Sequence, residues 1–332
     1  MKKHIYIYSP SGAVRDKSGF KRGLLRLKAM GHEVEVDPDA LAVHQRFAGT
    51  DDMRVAAIHR AAASGADVAL ISRGGYGLSR ILGSINYKSV AKAVAGGTQF
   101  VGFSDFTGFQ LALLAKTGAV TWAGPALADD FGCEETPDDI MQACFEDMVC
   151  GQAEGCGWQL PKPRKLATSF EETSAAASSA MDSTALQGLP KKDKENFEVK
   201  NATLWGGNLA MLASLVGTPY LPAVKGGVLF IEDIAEHPYR IERMLTQLLH
   251  AGVLTQQKVI IFGQFTHYKL QPNDRGFKLE SVVKWLQSKV KARILTGLPF
   301  GHVSTKILLP VGAKVTLVVE SRDAFVLWGH QH

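Results

Sequence analysis

Short apolar runs alternate with helix-patterned stretches through the first part of this chain. The runs fall at residues 4–8, 34–36, 67–72, 99–103 and 119–122. Between them, residues 17–30 carry Phe20, Leu24, Leu25, Leu27 and Met30 at helical spacing, and residues 51–64 begin on Asp51, placed to cap a helix. Such alternation predicts a mostly parallel sheet covered on both faces. In these sheets functional groups gather at the carboxyl ends of the strands. Two segments fall there. Arg73-Gly74-Gly75-Tyr76-Gly77 follows the third apolar run, and Gly102-Phe103-Ser104-Asp105-Phe106-Thr107 closes the fourth.

The second of these segments reads strand, sharp turn, helix, because Phe106, Phe109 and Leu113 continue it at helical spacing. A serine on such a turn is exposed at a strand end, with backbone N–H groups behind it at a helix N-terminus. That arrangement suits a nucleophile. It equally suits a helix cap by Ser104 or Asp105, and the segment alone leaves the two open. Phe106 in the fifth position separates it from the Gly-x-Ser-x-Gly turn of the α/β-hydrolases.

A length of 332 residues accommodates two domains. Composition shifts after residue 150: Pro161 and Pro163 precede an Ala/Ser/Thr-rich stretch at 168–183 and then Lys191, Lys192 and Lys194. The expected organisation is an N-terminal α/β domain over 1–158, a linker or insertion over 159–200, and a C-terminal domain over 201–332. The fold class is α/β, with a mostly parallel N-terminal sheet and flanking helices. A smaller α/β C-terminal domain has a strand-rich end, at 313–319 and 325–328. Within it, residues 227–233 form an apolar run that finishes on Glu232 and Asp233.

The net charge of +5 is scattered rather than clustered, which argues against nucleic acid as a partner. Cys133, Cys144, Cys150 and Cys156 lack metal-ligand spacing and read as free thiols, so no metal or other cofactor is expected. The apolar run after Met1-Lys2-Lys3 is too short for an export signal, and no stretch reaches membrane-spanning length. The expected location is the cytoplasm, with no membrane partner.

A nucleophilic serine needs a base, and the base an orienting carboxylate. His302 stands out among the histidines because Leu298-Pro299-Phe300-Gly301 can fix it in a tight loop, and Glu232 stands at a strand end. Either one alone reads equally as an ordinary surface residue. In order along the chain, however, Arg73-Gly74-Gly75-Tyr76-Gly77, Gly102 to Thr107, Gly206-Gly207-Asn208-Leu209 and Gly217-Thr218-Pro219-Tyr220 are followed by three further blocks. These are Leu229 to Asp233 with Glu236 to Ile241, then Gly263-Gln264-Phe265-Thr266, then Gly297 to His302. Over nearly its whole length the chain resembles the LD-carboxypeptidases, which include muramoyl-tetrapeptide carboxypeptidases and microcin C self-immunity proteins.

The resemblance implies a Ser-Glu-His triad of Ser104, Glu232 and His302 in a cleft between two domains. It implies cleavage of the L,D-peptide bond before a terminal D-alanine of murein tetrapeptides, in cell-wall recycling, by a homodimer. Hydrolysis of a microcin-C-like peptidyl nucleotide is the alternative within the family, and a non-catalytic binding protein is the alternative outside it. The oxyanion is expected on the backbone N–H groups of Asp105 and Gly75. The side chain of Asp105 itself is expected to cap a helix. Arg73 either reads the substrate carboxylate or pairs with Glu232, Asp233 or another nearby acid. Gly74 and Asn208 join it as substrate contacts, and Trp205 stacks on substrate or packs. Ala123-Gly124-Pro125 departs from the family's frequent His-Gly-Pro.

Overall fold

The computed structural model describes residues 2–162 and 196–329. Most of the linker expected over 159–200, including the Ala/Ser/Thr-rich stretch and Lys191, Lys192 and Lys194, lies outside the described residues.

Two sheets organise the chain. The first has the order β11-β5-β4-β3-β1-β2. Its strands are β1 (His4–Tyr8), β2 (Glu33–Val36), β3 (Val68–Ile71), β4 (Gln99–Gly102), β5 (Thr121–Ala123) and β11 (Leu309–Val311). The first five run parallel, and β11 returns antiparallel against β5. The central strands β1, β3 and β4 are buried almost throughout, as parallel strands covered on both faces must be. Strand order reverses between β1 and β3, which places a crevice at their carboxyl ends.

The helices α1 (Lys17–Ala29), α2 (Asp51–Ala63) and α5 (Thr107–Thr117) lie close to where the hydrophobic spacing puts them, and α6 (Asp139–Val149) follows them. Thr50, one residue before Asp51, caps α2 by accepting the N–H of Met53. The short α3 (Leu78–Ile81) and the amphipathic α4 (Tyr87–Ala95) add to the helices expected from the sequence.

The second sheet has the order β10-β9-β8-β7-β12-β13-β6. One half is parallel: β7 (Phe197–Asn208), β8 (Val228–Ile234), β9 (Val259–Thr266) and β10 (Arg293–Thr296). The other half is antiparallel, formed by β7 with β12 (Lys314–Glu320), β13 (Asp323–Leu327) and β6 (Gly155–Gln159). The long β7 serves both halves. Its first part alternates and is half exposed, pairing with β12, and its last five residues are buried against β8. The helices α7 (Leu209–Ser214), α8 (Pro238–His250) and α9 (Leu279–Lys289) complete this half.

Helix α5 joins the halves. It is buried from Thr107 to Leu113 and packs on β7 and α7. Thr107 Oγ1 accepts the backbone N–H of Asn208 at 3.0 Å, and a Cβ on Gly207 would sit 2.4 Å from that oxygen. Close approach here is what requires glycine at 207.

Candidate active site

Ser104 stands two residues beyond β4 in the left-handed region, at φ +63°, a conformation that costs a residue with a Cβ about 1–2 kcal/mol. One 3₁₀ turn, Ser104–Phe106, separates it from α5. The tight turn leaves the serine half-exposed while its neighbours Phe103 and Phe106 are buried. The glycine loop closes over it. A Cβ on Gly74 would lie 2.8 Å from Ser104 Cβ and 3.0 Å from its Oγ.

His302 reaches the serine from the other half of the chain. Its Nε2 lies 3.0 Å from Ser104 Oγ, and its Nδ1 lies 2.8 Å from Glu232 Oε2. A carboxylate only accepts, so Nδ1–H donates to Glu232 and the lone pair on Nε2 faces the serine hydroxyl. The loop that carries His302 folds back tightly. Gly301 has φ +140°, and a Cβ there would fall 3.1 Å from Glu232 Oε2. The imidazole ring packs on Phe103 at a centroid distance of 4.9 Å. Burial pushes the His302 pKa down, but the hydrogen bond and charge of Glu232 outweigh it, and the net shift is upward.

Glu232 is fully buried at the end of β8. Its second oxygen, Oε1, accepts Asn208 Nδ2 at 3.2 Å, and the same amide donates to Asp233 Oδ1 at 2.9 Å. Asn208 Oδ1 accepts the N–H of Met211 and so caps α7. Asn208 is 6 % exposed, and its side chain, expected as a substrate contact, is engaged by these partners and holds the acid. Asp233 is pushed up to about 6, by burial and then by the charge of Glu232. Trp205 is fully buried and donates to Gln257 Oε1 at 3.0 Å, so of the two expected roles it takes packing, not a place on the exposed surface.

Arg73 forms no ion pair with Glu232 or Asp233 among the described residues. Its Nη1 donates to the carbonyl of Ala13 at 3.1 Å. The expected helix cap is also corrected. Phe106 stands at the N-cap of α5 with no side-chain bond, and the Asp105 carboxylate instead accepts the N–H of Leu78, the first residue of α3, at 2.9 Å.

One group of residues escaped the sequence reading. A single π-helical turn, Leu127–Phe131, follows β5, and its Ala128 N–H bonds the carbonyl of Ser72 beside Arg73. Asp130 in this turn pairs with the buried Lys306, whose ammonium also lies 4.0 Å from the Phe103 ring centroid. Asp129 beside it is exposed at its surface, yet the protein crowded around its carboxyl and then the charge of Asp130 raise its pKa, against Arg73, Lys306 and His302. The only signal in the sequence was a pair of acids after Gly124-Pro125, and nothing there singles them out.

Residues 5–124 match the family model for the LD-carboxypeptidase N-terminal domain, and residues 201–317 that for the LD-carboxypeptidase C-terminal domain. The chain belongs to the LD-carboxypeptidase family. This LD-carboxypeptidase is 28% identical over 312 residues to the probable murein peptide carboxypeptidase of Bacillus subtilis, covering 94% of this chain and 88% of that one. It is 26% identical over 259 residues to the microcin C7 self-immunity protein MccF of Escherichia coli, covering 75% and 70% of the two chains. The crystal structure of muramoyltetrapeptide carboxypeptidase from Oxalobacter formigenes superposes with a TM-score of 0.81 at 34% identity, covering 98% of each chain. The chain is a serine-peptidase-type hydrolase on a mixed α/β fold of two sheets.

Proposed function

We propose that Ser104, His302 and Glu232 form the catalytic triad, and that the bond cleaved precedes the terminal D-alanine of murein tetrapeptides. The observation that carries this reading is the chain Ser104 Oγ, 3.0 Å, His302 Nε2, then His302 Nδ1, 2.8 Å, Glu232 Oε2. Ser104 Oγ attacks the scissile carbonyl carbon as its proton passes to His302. The C–N bond breaks as His302 returns that proton to the leaving amine, and water then hydrolyses the ester with His302 as base. Glu232 holds the reactive tautomer and stabilises the imidazolium.

The N–H groups of Asp105 and Gly75 hold the oxyanion in this reading. Arg73 takes the terminal carboxylate with the guanidinium nitrogens that Ala13 leaves free. The relatives' names support a murein peptide as substrate, and the activity serves recycling of cell-wall fragments in the cytoplasm, by a homodimer. Among the described residues no helix is long and apolar enough to cross a membrane.

The test is release of D-alanine from L-Ala-γ-D-Glu-meso-diaminopimelyl-D-Ala. Wild type releases it, and Ser104→Ala falls by on the order of 10⁴-fold or more. Equal release by both refutes the triad. No release by folded wild type refutes the substrate and turns the search to peptidyl nucleotides.

A further inference from the structure

Asp105 follows Ser104 directly, is 2 % exposed, and its carboxylate bonds neither Ser104 nor His302. Its Oδ2 gathers two donors from two other loops. Ser11 Oγ–H donates from the turn after β1, and the N–H of Leu78 donates at the end of the loop after β3. The buried Arg54 guanidinium backs the same cluster, donating to the carbonyl of Gly77 at 2.8 Å.

The two outer loops are also tied to each other. Gly12 N–H bonds Gly74 O at 3.2 Å, and Arg73 Nη1 bonds Ala13 O. Gly75 has φ +118°, and a Cβ on it would lie 3.0 Å from Gly12 Cα. One buried carboxylate therefore joins the serine turn to the glycine loop that packs on the serine.

We propose that Asp105 is a positioning residue: its carboxylate sets the separation between its own backbone N–H and that of Gly75, across the site of the developing oxyanion. The inference rests on the triad and oxyanion reading above. Oxyanion donors act because they are preorganised, and a misplacement of about 1 Å costs on the order of 10²-fold in rate. An oxygen that accepts donors from both loops at once leaves them little freedom. In Asp105→Asn the amide oxygen can keep the Ser11 and Leu78 donors. Its NH₂ would then occupy the place of Oδ1, a buried atom without a partner, so two N–H groups would be left unpaired.

The test compares wild type, Asp105→Asn and Ser11→Ala by two readouts at matched folded fraction. One is kcat and KM for D-alanine release from the tetrapeptide. The other is the rate of Ser104 labelling by a fluorophosphonate, in which the Oγ–P bond forms, fluoride leaves and the hydroxyl proton passes to His302. Expected for Asp105→Asn is a ~30–300-fold fall in kcat and in labelling rate, with KM within about threefold of wild type. Ser11→Ala, which removes one of the two donors, falls about tenfold in labelling rate and serves if Asp105→Asn does not fold.

Unchanged kcat and labelling in folded variants overturn the proposal, as does a loss of kcat matched by an equal rise in KM. If wild type is labelled by the fluorophosphonate but releases no D-alanine, the substrate reading fails. Labelling rates then decide the role of Asp105 on their own.

Discussion

His302 holds two opposed influences, and their balance is measurable. Burial lowers its pKa, whereas Glu232 raises it enough to leave the net value above the ordinary 6.5. A general base must be neutral, so the acid limb of kcat/KM is expected above pH 6.5 in wild type. In Glu232→Gln the main raising partner is gone; burial and the charge of Lys306 still lower the pKa, and only the weaker pull of Asp233 still raises it. The acid limb should then move to lower pH, with kcat reduced on the order of 10³–10⁴-fold because the tautomer is no longer held. A pH–rate profile of the two proteins checks both. A limb that stays in place in Glu232→Gln would mean that another group controls it.

Glycines set the distances between the elements that carry the site. Strands β7 and β8 are in register at Gly206 and Phe230, where β7 carries Asn208 and β8 carries Glu232. Gly206 has φ +132°, and a Cβ there would fall 1.9 Å from the carbonyl oxygen of Phe230. Backbone cannot yield as a flexible side chain does, and the conformation is itself strained for alanine. Gly206→Ala should destabilise the protein by about 3 kcal/mol or more, read as a lowered urea midpoint. What survives folded should lose activity, because the Asn208–Glu232 bond must shift. A wild-type midpoint would contradict this account of β7. The sequence showed Gly206-Gly207 as a block but not its purpose, since the atom each glycine faces lies on another element.

Across the whole molecule the two sheets exchange strands. β11 comes from late in the chain, yet it closes the first sheet against β5, while β6 comes from the early part and edges the second. Trp122 on β5 is 5 % exposed and stacks edge-on against Trp328 at 5.8 Å, and Leu308 covers Gly124. A fragment of residues 1–158 lacks all of these partners. It should leave an apolar open edge at β5 and associate rather than fold as a compact monomer. Size-exclusion chromatography and near-ultraviolet circular dichroism distinguish the outcomes, and a monomer with native aromatic signals would overturn the expectation.

The parallel character of β1 to β5, the turn at Ser104 and the acid end of β8 were legible because each depends on neighbours in the chain. Apolar runs, helical spacing and a Gly-x-Ser turn are local patterns. Tertiary structure alone decided which polar groups meet. It committed Asn208 to Glu232 and Asp233, buried Trp205 against Gln257, and turned Asp105 toward Ser11 and Leu78. It also paired Lys306 with Asp130 across 176 positions of sequence. Such pairings follow from burial, where a polar group must find whichever partner the packing brings to it, and no local pattern specifies which partner that is.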